Sequence, residues 1–182
     1  MLFSFSTPMK DDPMTLAAFR STSCLAAALL LAPAIASAAA ADIVRHKIPN
    51  SDFPIALAVS VPPGATIHFI SGQVPPVVDK AASADTIAAF GDTRTQTVGV
   101  LQKIKEILAG MGLGMGDVVK MQVFLVGDPA QKGRADVTGF MAGYTQFFGG
   151  AQPNLPARAV MQVAGLSNPG WLVEIEVVAA KK

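Results

Sequence analysis

Downstream of Asp42 the apolar positions recur with two different periods. "DIVRHKI" (Asp42–Ile48), "IALAVSV" (Ile55–Val61) and "ATIHFISG" (Ala65–Gly72) read as three strands. "PPG" at Pro62–Gly64 turns the chain between the last two, which predicts an antiparallel start. Gln73 to Gly91 has no clear period and reads as a loop. Val98, Leu101, Ile104, Leu108 and Met111 then fall at spacings of three and four, one stripe of a helix. Gln102, Lys103, Lys105 and Glu106 fill its outer face, and "GMGLGMGD" (Gly110–Asp117) stops it. "VVKMQVFLV" (Val118–Val126) alternates, with Val119, Met121, Val123 and Leu125 on one face and Lys120 and Gln122 on the other. "ADVTGFMAGYTQFFG" (Ala135–Gly149) predicts a second helix, with Val137, Phe140, Tyr144, Phe147 and Phe148 on one side. Gly139 and Gly143 lower its intrinsic propensity, so packing must hold it. Leu155 to Ala180 reads as a terminal hairpin around a Gly/Pro turn. The order β-β-β-α-β-α-β-β predicts an α+β layer, with two helices on one face of a mixed sheet.

Upstream the pattern changes. "CLAAALLLAPAIA" (Cys24–Ala36) is a short apolar run preceded by Lys10 and Arg20 and followed by "ASA". A basic start, an apolar centre and small residues at a cleavage point describe a secretory signal peptide, residues 1–38, removed near Ala38. A membrane anchor is the alternative. It would need about 20 apolar residues, and this run is shorter, rich in alanine and broken by Pro33. Met1 or Met14 could start the chain. Residues 39–182 then form a single domain, expected to be periplasmic or secreted and without a membrane span once the signal is cleaved. The formal net charge is +1 and the basic residues are scattered, which points away from nucleic acid. The single cysteine, Cys24, lies in the signal, so thiol chemistry and disulfides leave with it.

Candidate chemistry is sparse. Arg158 is the only charged residue between Leu155 and Asn168. A guanidinium offers a rigid fork of donors that matches a carboxylate. It could clamp a small acid, or it could pair with Glu174 across the hairpin. Glu174 and Glu176 alternate with Val173, Ile175 and Val177, so both point away from the packed face. Gly72 reads as a strand-ending turn, Tyr144 as a core aromatic and Gln96 as a helix-surface residue. His46 and His68 stand singly in strands, with no metal-ligand spacing around them. The glycine run follows a helix and precedes a strand, the reverse of a phosphate loop.

"FISGQVP" (Phe69–Pro75), "VLQKIKEILAGMGLGMGDVVKMQVFLV" (Val100–Val126), "YTQFF" (Tyr144–Phe148), "LPARAVMQVAGL" (Leu155–Leu166) and "VEIEVVA" (Val173–Ala179) occur in this order. Together they resemble the reactive-intermediate deaminase family, also called RidA or YjgF-like, over roughly Ile67 to Ala180. The resemblance implies a chorismate-mutase-like α+β fold and a homotrimer with ligand sites in clefts between subunits. It implies hydrolysis of enamine and imine acids, such as 2-aminoacrylate and 2-iminopropionate, to 2-keto acids and ammonia, without metal or organic cofactor. Arg158 matches the family's carboxylate-binding arginine, and Glu174 the glutamate associated with the attacking water. Ser71 and Gly72 match a block whose backbone approaches the ligand, and Tyr144 is added to the substrate-binding set. The chain departs from the pattern near Ala58, where a tyrosine is usual, at Val160, where cysteine is common, and at Met141, where asparagine is common. Two classes of function follow: an exported imine deaminase, or a trimeric envelope module that binds small carboxylates or proteins without turnover.

Overall fold

The computed structural model describes residues 42–150 and 152–182. The signal peptide expected over residues 1–38 lies outside them. Six strands form one sheet: β1 (Val44–Lys47), β2 (Ala56–Ser60), β3 (Thr66–Gln73), β4 (Val118–Val126), β5 (Ala157–Val163) and β6 (Val173–Lys181). The helices are α1 (Ile87–Phe90), α2 (Thr93–Gly110) and α3 (Val137–Tyr144). No helix among the described residues is long and apolar enough to cross a membrane.

The strand order is β1-β2-β5-β4-β6-β3. β4 pairs in parallel with β5 and antiparallel with β6, so it lies between them. The expected terminal hairpin is therefore corrected. A parallel pair needs a crossover, which α3 supplies, and residues 164–172 carry the chain from β5 past β4 to β6. The antiparallel start holds for β1 and β2 only. β3 pairs with β6 at the opposite edge. Alternation tells which face a residue takes but not which strand lies beside it.

The sheet's apolar face carries the core. Met121, Val123 and Leu125 from β4 and Val173, Ile175 and Val177 from β6 are buried against Val100, Leu101, Ile104 and Leu108 of α2. α2 begins at Thr93, earlier than its stripe predicts, because Asp92 caps it by accepting from the Thr95 backbone N–H at 2.8 Å. α1 occupies part of the segment expected to be a loop. Of the residues expected on the inner side of α3, Phe140, Tyr144 and Phe148 are buried, whereas Val137 is 51% exposed, because the helix starts there. Gly143 is where packing replaces propensity: a Cβ there would overlap Thr97 of α2, so glycine lets the two helices close.

Gln96 overturns its surface reading. It is fully buried. Its Nε2 donates to the carbonyls of Gly91 and Gly170, each at 2.9 Å, and its Oε1 accepts from the Leu172 N–H at 2.7 Å. One amide thus fastens α2 to the loop between β5 and β6. Gln96→Ala would orphan all three backbone groups. Urea unfolding should show a loss of about 1–3 kcal/mol; an unchanged midpoint would mean that water replaces the amide at no cost.

Candidate active site

Arg158 lies opposite Met121, and Met121 is buried on the helix-covered face. The guanidinium accordingly enters an aromatic box. Its Cζ lies 4.2 Å from the ring centre of Tyr144, 5.1 Å from Phe140 and 5.6 Å from Phe53. Nη2 donates to the Met141 sulfur at 3.3 Å, a weak acceptor, and the buried Nη1 has no partner. Burial lowers the arginine's pKa, opposed by its contact with Tyr144. Desolvation pushes the Tyr144 hydroxyl up to about 12, against the pull of Arg158. The phenol therefore keeps its proton near neutral pH and donates to the Pro54 carbonyl at 2.8 Å. Tyr144 is the core aromatic that its spacing predicts. It acts on the site through its face, as a platform that holds Arg158.

Glu174 lies opposite Phe124, three residues along β4 from Met121. That odd spacing puts it on the other face of the sheet. It is half-buried, as is Glu176, while their neighbours Val173, Ile175 and Val177 are buried, as the alternation predicts. The ladder between β3 and β6 slips between Ile70 and Gln73, so Ser71 and Gly72 form an irregularity beside Glu174. A Cβ on Gly72 would overlap the Glu174 carboxylate, which therefore occupies the space that glycine leaves open. Ser71 is exposed and, with Glu176, Gln122 and Lys120, lines a hollow of about 190 Å³ on this outer face.

The predicted residues thus assemble into two half-sites. Ser71, Gly72 and Glu174 meet on the outer face, and Arg158 and Tyr144 meet on the helix side. Within one chain the two groups do not converge. Two strand spacings of about 4.8 Å separate β5 from β6, and the side chains leave in opposite directions. This excludes the alternative of an Arg158–Glu174 ion pair within the chain. Phe53 and Met141, both against the guanidinium, complete its surroundings. Sequence reasoning met Met141 only as a departure and missed Phe53, which has no periodic signal in the connection before β2.

His46 is exposed and bonds Ser60 at 2.9 Å. Among the described residues no three His, Cys, Asp or Glu side chains group as metal ligands. The outer face is unusually apolar for an exposed surface: Phe69 is 81%, Ile67 49% and Met161 39% exposed.

The sequence profile described as Endoribonuclease L-PSP matches residues 38–181. A RutC family protein of Pyrococcus abyssi is 30% identical over 140 residues, covering 77% of this chain and 96% of its own. A protein of Salmonella typhimurium named 2-iminobutanoate/2-iminopropanoate deaminase is 31% identical over 112 residues, 62% of this chain and 77% of its own. The crystal structure of YyfB from Yersinia pestis, titled as a member of the Rid protein family, superposes with a TM-score of 0.56 at 26% identity. That match covers 77% of this chain and 98% of the other.

Proposed function

The chain belongs to the Endoribonuclease L-PSP family, that of the reactive-intermediate deaminases, and from that premise we propose that it hydrolyses small 2-imino and enamino acids to 2-keto acids and ammonia. The observation that carries this reading is the under-used guanidinium of Arg158, half-buried, with one donor on a thioether and one on nothing. A buried cation in that state gains most from a ligand carboxylate, which can accept two parallel bonds.

The remaining chemistry needs a water and a base. The separation of the half-sites within one chain, and the exposed Phe69, Ile67 and Met161, support a homotrimer in which Glu174 of a neighbouring subunit faces Arg158. Covering such a face is what an exposed apolar patch of this kind is for. Arg158 then fixes the substrate carboxylate. Glu174 orients water and takes its proton as the oxygen bonds to the imine carbon, and the proton passes to nitrogen. The new hydroxyl then gives up its proton, through Glu174, to the leaving nitrogen as the C–N bond breaks, so the carbonyl forms and ammonia leaves. No step calls on a metal or an organic cofactor.

Ammonia release from 2-iminopropionate, generated in place by an amino-acid oxidase, tests the reading; a rate equal to the uncatalysed one would sink it. Gly72→Ala should lower turnover about 100-fold, because it displaces the Glu174 carboxylate from its position. Unchanged turnover in a folded Gly72→Ala protein would take Glu174 out of the chemistry. The sulfur of Met141 on Arg158, with the apolar residues at Ala58 and Val160, favours a second reading as a carboxylate-binding trimer of the envelope. Arg158-dependent keto-acid binding without ammonia release would select it. Export rests on the pattern of residues 1–38, and mass spectrometry of the native chain tests it. A cytosolic protein retaining Leu25–Leu31 would exclude it.

A further inference from the structure

We propose that Met141 is an oxidative modification site whose sulfoxide closes the carboxylate clamp at Arg158. The oxidant is a peroxide, and the sulfur that takes the oxygen is the one already in contact with the guanidinium. The closure rests on the reading of Arg158 as the clamp; the modification does not.

Met141 and Tyr144 lie three residues apart on α3, so they share one side of the helix. The Arg158 guanidinium lies against that side, with Cζ 4.2 Å from the Tyr144 ring centre and Nη2 3.3 Å from the Met141 sulfur. A thioether is a weak acceptor, and the buried Nη1 has no partner. The cation is therefore short of acceptors where a sulfur can acquire a strong one. Met115 and Met121 are 8% and 0% exposed, whereas Met141 is half-buried and is not sealed in the core as they are. Residues 42–182 hold no cysteine, so methionine is the sulfur through which a peroxide would act on this domain.

The step is a two-electron oxidation. Nη2 engages one lone pair of the sulfur and leaves the other to attack a peroxide oxygen. The S–O bond forms as the O–O bond breaks. The proton of the attacked oxygen passes to the departing hydroxide, so water leaves; sulfur is oxidised and peroxide reduced. The sulfoxide oxygen is polar and a far stronger acceptor than the thioether. Carried on a sulfur that already touches Nη2, it takes guanidinium donors that a ligand carboxylate would otherwise use. Losing one charge-assisted bond to the ligand corresponds to about a tenfold or larger fall in affinity.

Peptide mass mapping and calorimetry on the full protein, before and after hydrogen peroxide, test both parts. Peroxide would be removed before each titration, because it destroys 2-keto acids. Met141 should gain one oxygen alongside the exposed Met111 and Met161 and before the buried Met115 and Met121. Pyruvate should then bind at least about tenfold more weakly, in protein shown by circular dichroism to be folded. Met141→Leu cannot take the oxygen, so peroxide should leave its pyruvate affinity where it started. The double variant Met111→Leu, Met161→Leu retains Met141 and should lose affinity as the wild type does. Met141 unoxidised after Met115 and Met121 have reacted overturns the modification. Met141 oxidised with affinity kept, an equal loss in Met141→Leu, or a loss that comes only with unfolding overturns the closure. Failure of the clamp is distinct: untreated protein that binds pyruvate no better than Arg158→Ala removes the clamp and the closure with it, and the mass map still decides the modification. Protein that releases no ammonia yet loses pyruvate binding when Met141 is oxidised removes the deaminase reading and supports the closure.

Discussion

Arg158→Ala is expected to lower the proposed deaminase efficiency about 10- to 200-fold while the protein stays folded. A charge-assisted bond to a carboxylate is worth about 1.5–3 kcal/mol, and about 1.4 kcal/mol corresponds to a tenfold change in rate. The loss deepens if the imine carbon is also misplaced. Arg158→Lys keeps the charge but not the paired donors, so it should behave more like alanine than like wild type. Stability should move the other way. The guanidinium is desolvated among Phe53, Phe140 and Tyr144, and no carboxylate of the described residues pairs with it. Arg158→Met should therefore unfold no earlier than wild type, because an apolar chain of similar length fills the box without the cost of a buried cation. Parallel measurements of kcat/KM and melting check both. A marked loss of stability in Arg158→Met would assign the arginine to the fold.

Glu174→Gln should reduce kcat about 10²- to 10⁴-fold, the range of general acid–base contributions, with keto-acid affinity changed little. The substitution keeps the shape beside Gly72 and removes the proton acceptor. A structural role would predict the reverse pattern, lower stability with unaltered turnover per folded molecule. Stopped assays for kcat and calorimetry for binding separate the two, and equal kcat in both proteins would place the base elsewhere.

Face assignment was legible in the sequence because it depends on local period. The alternation in β4 named Met121, Val123 and Leu125 as inward, and that of β6 placed both glutamates outward. Neighbour assignment was not legible. Leu155 to Ala180 reads as a hairpin because its two strands are consecutive, but the parallel partnership of β4 and β5 through α3 separates them. Gln96 was misread for a related reason: its side chain answers backbone groups at Gly91, Gly170 and Leu172, and only the folded chain brings those together. Arg158 was recognisable by type and by resemblance to the family's block. Its aromatic box was not, since Phe53, Phe140 and Tyr144 come from widely separated segments. The split of the site into two halves required the register, where Arg158 lies opposite Met121 and Glu174 opposite Phe124.

That split is the centre of the account, and mixed trimers test it most directly. Arg158→Ala and Glu174→Gln chains, each strongly impaired alone, would be unfolded, mixed in equal amounts and refolded together. If each site takes its arginine from one subunit and its glutamate from the next, random assembly restores intact sites at about a quarter of their full number. Ammonia release should then recover to about a quarter of the wild-type rate. If both residues serve a site within one chain, no mixture holds an intact site, and a rate no higher than that of the separate variants would contradict the shared-site account.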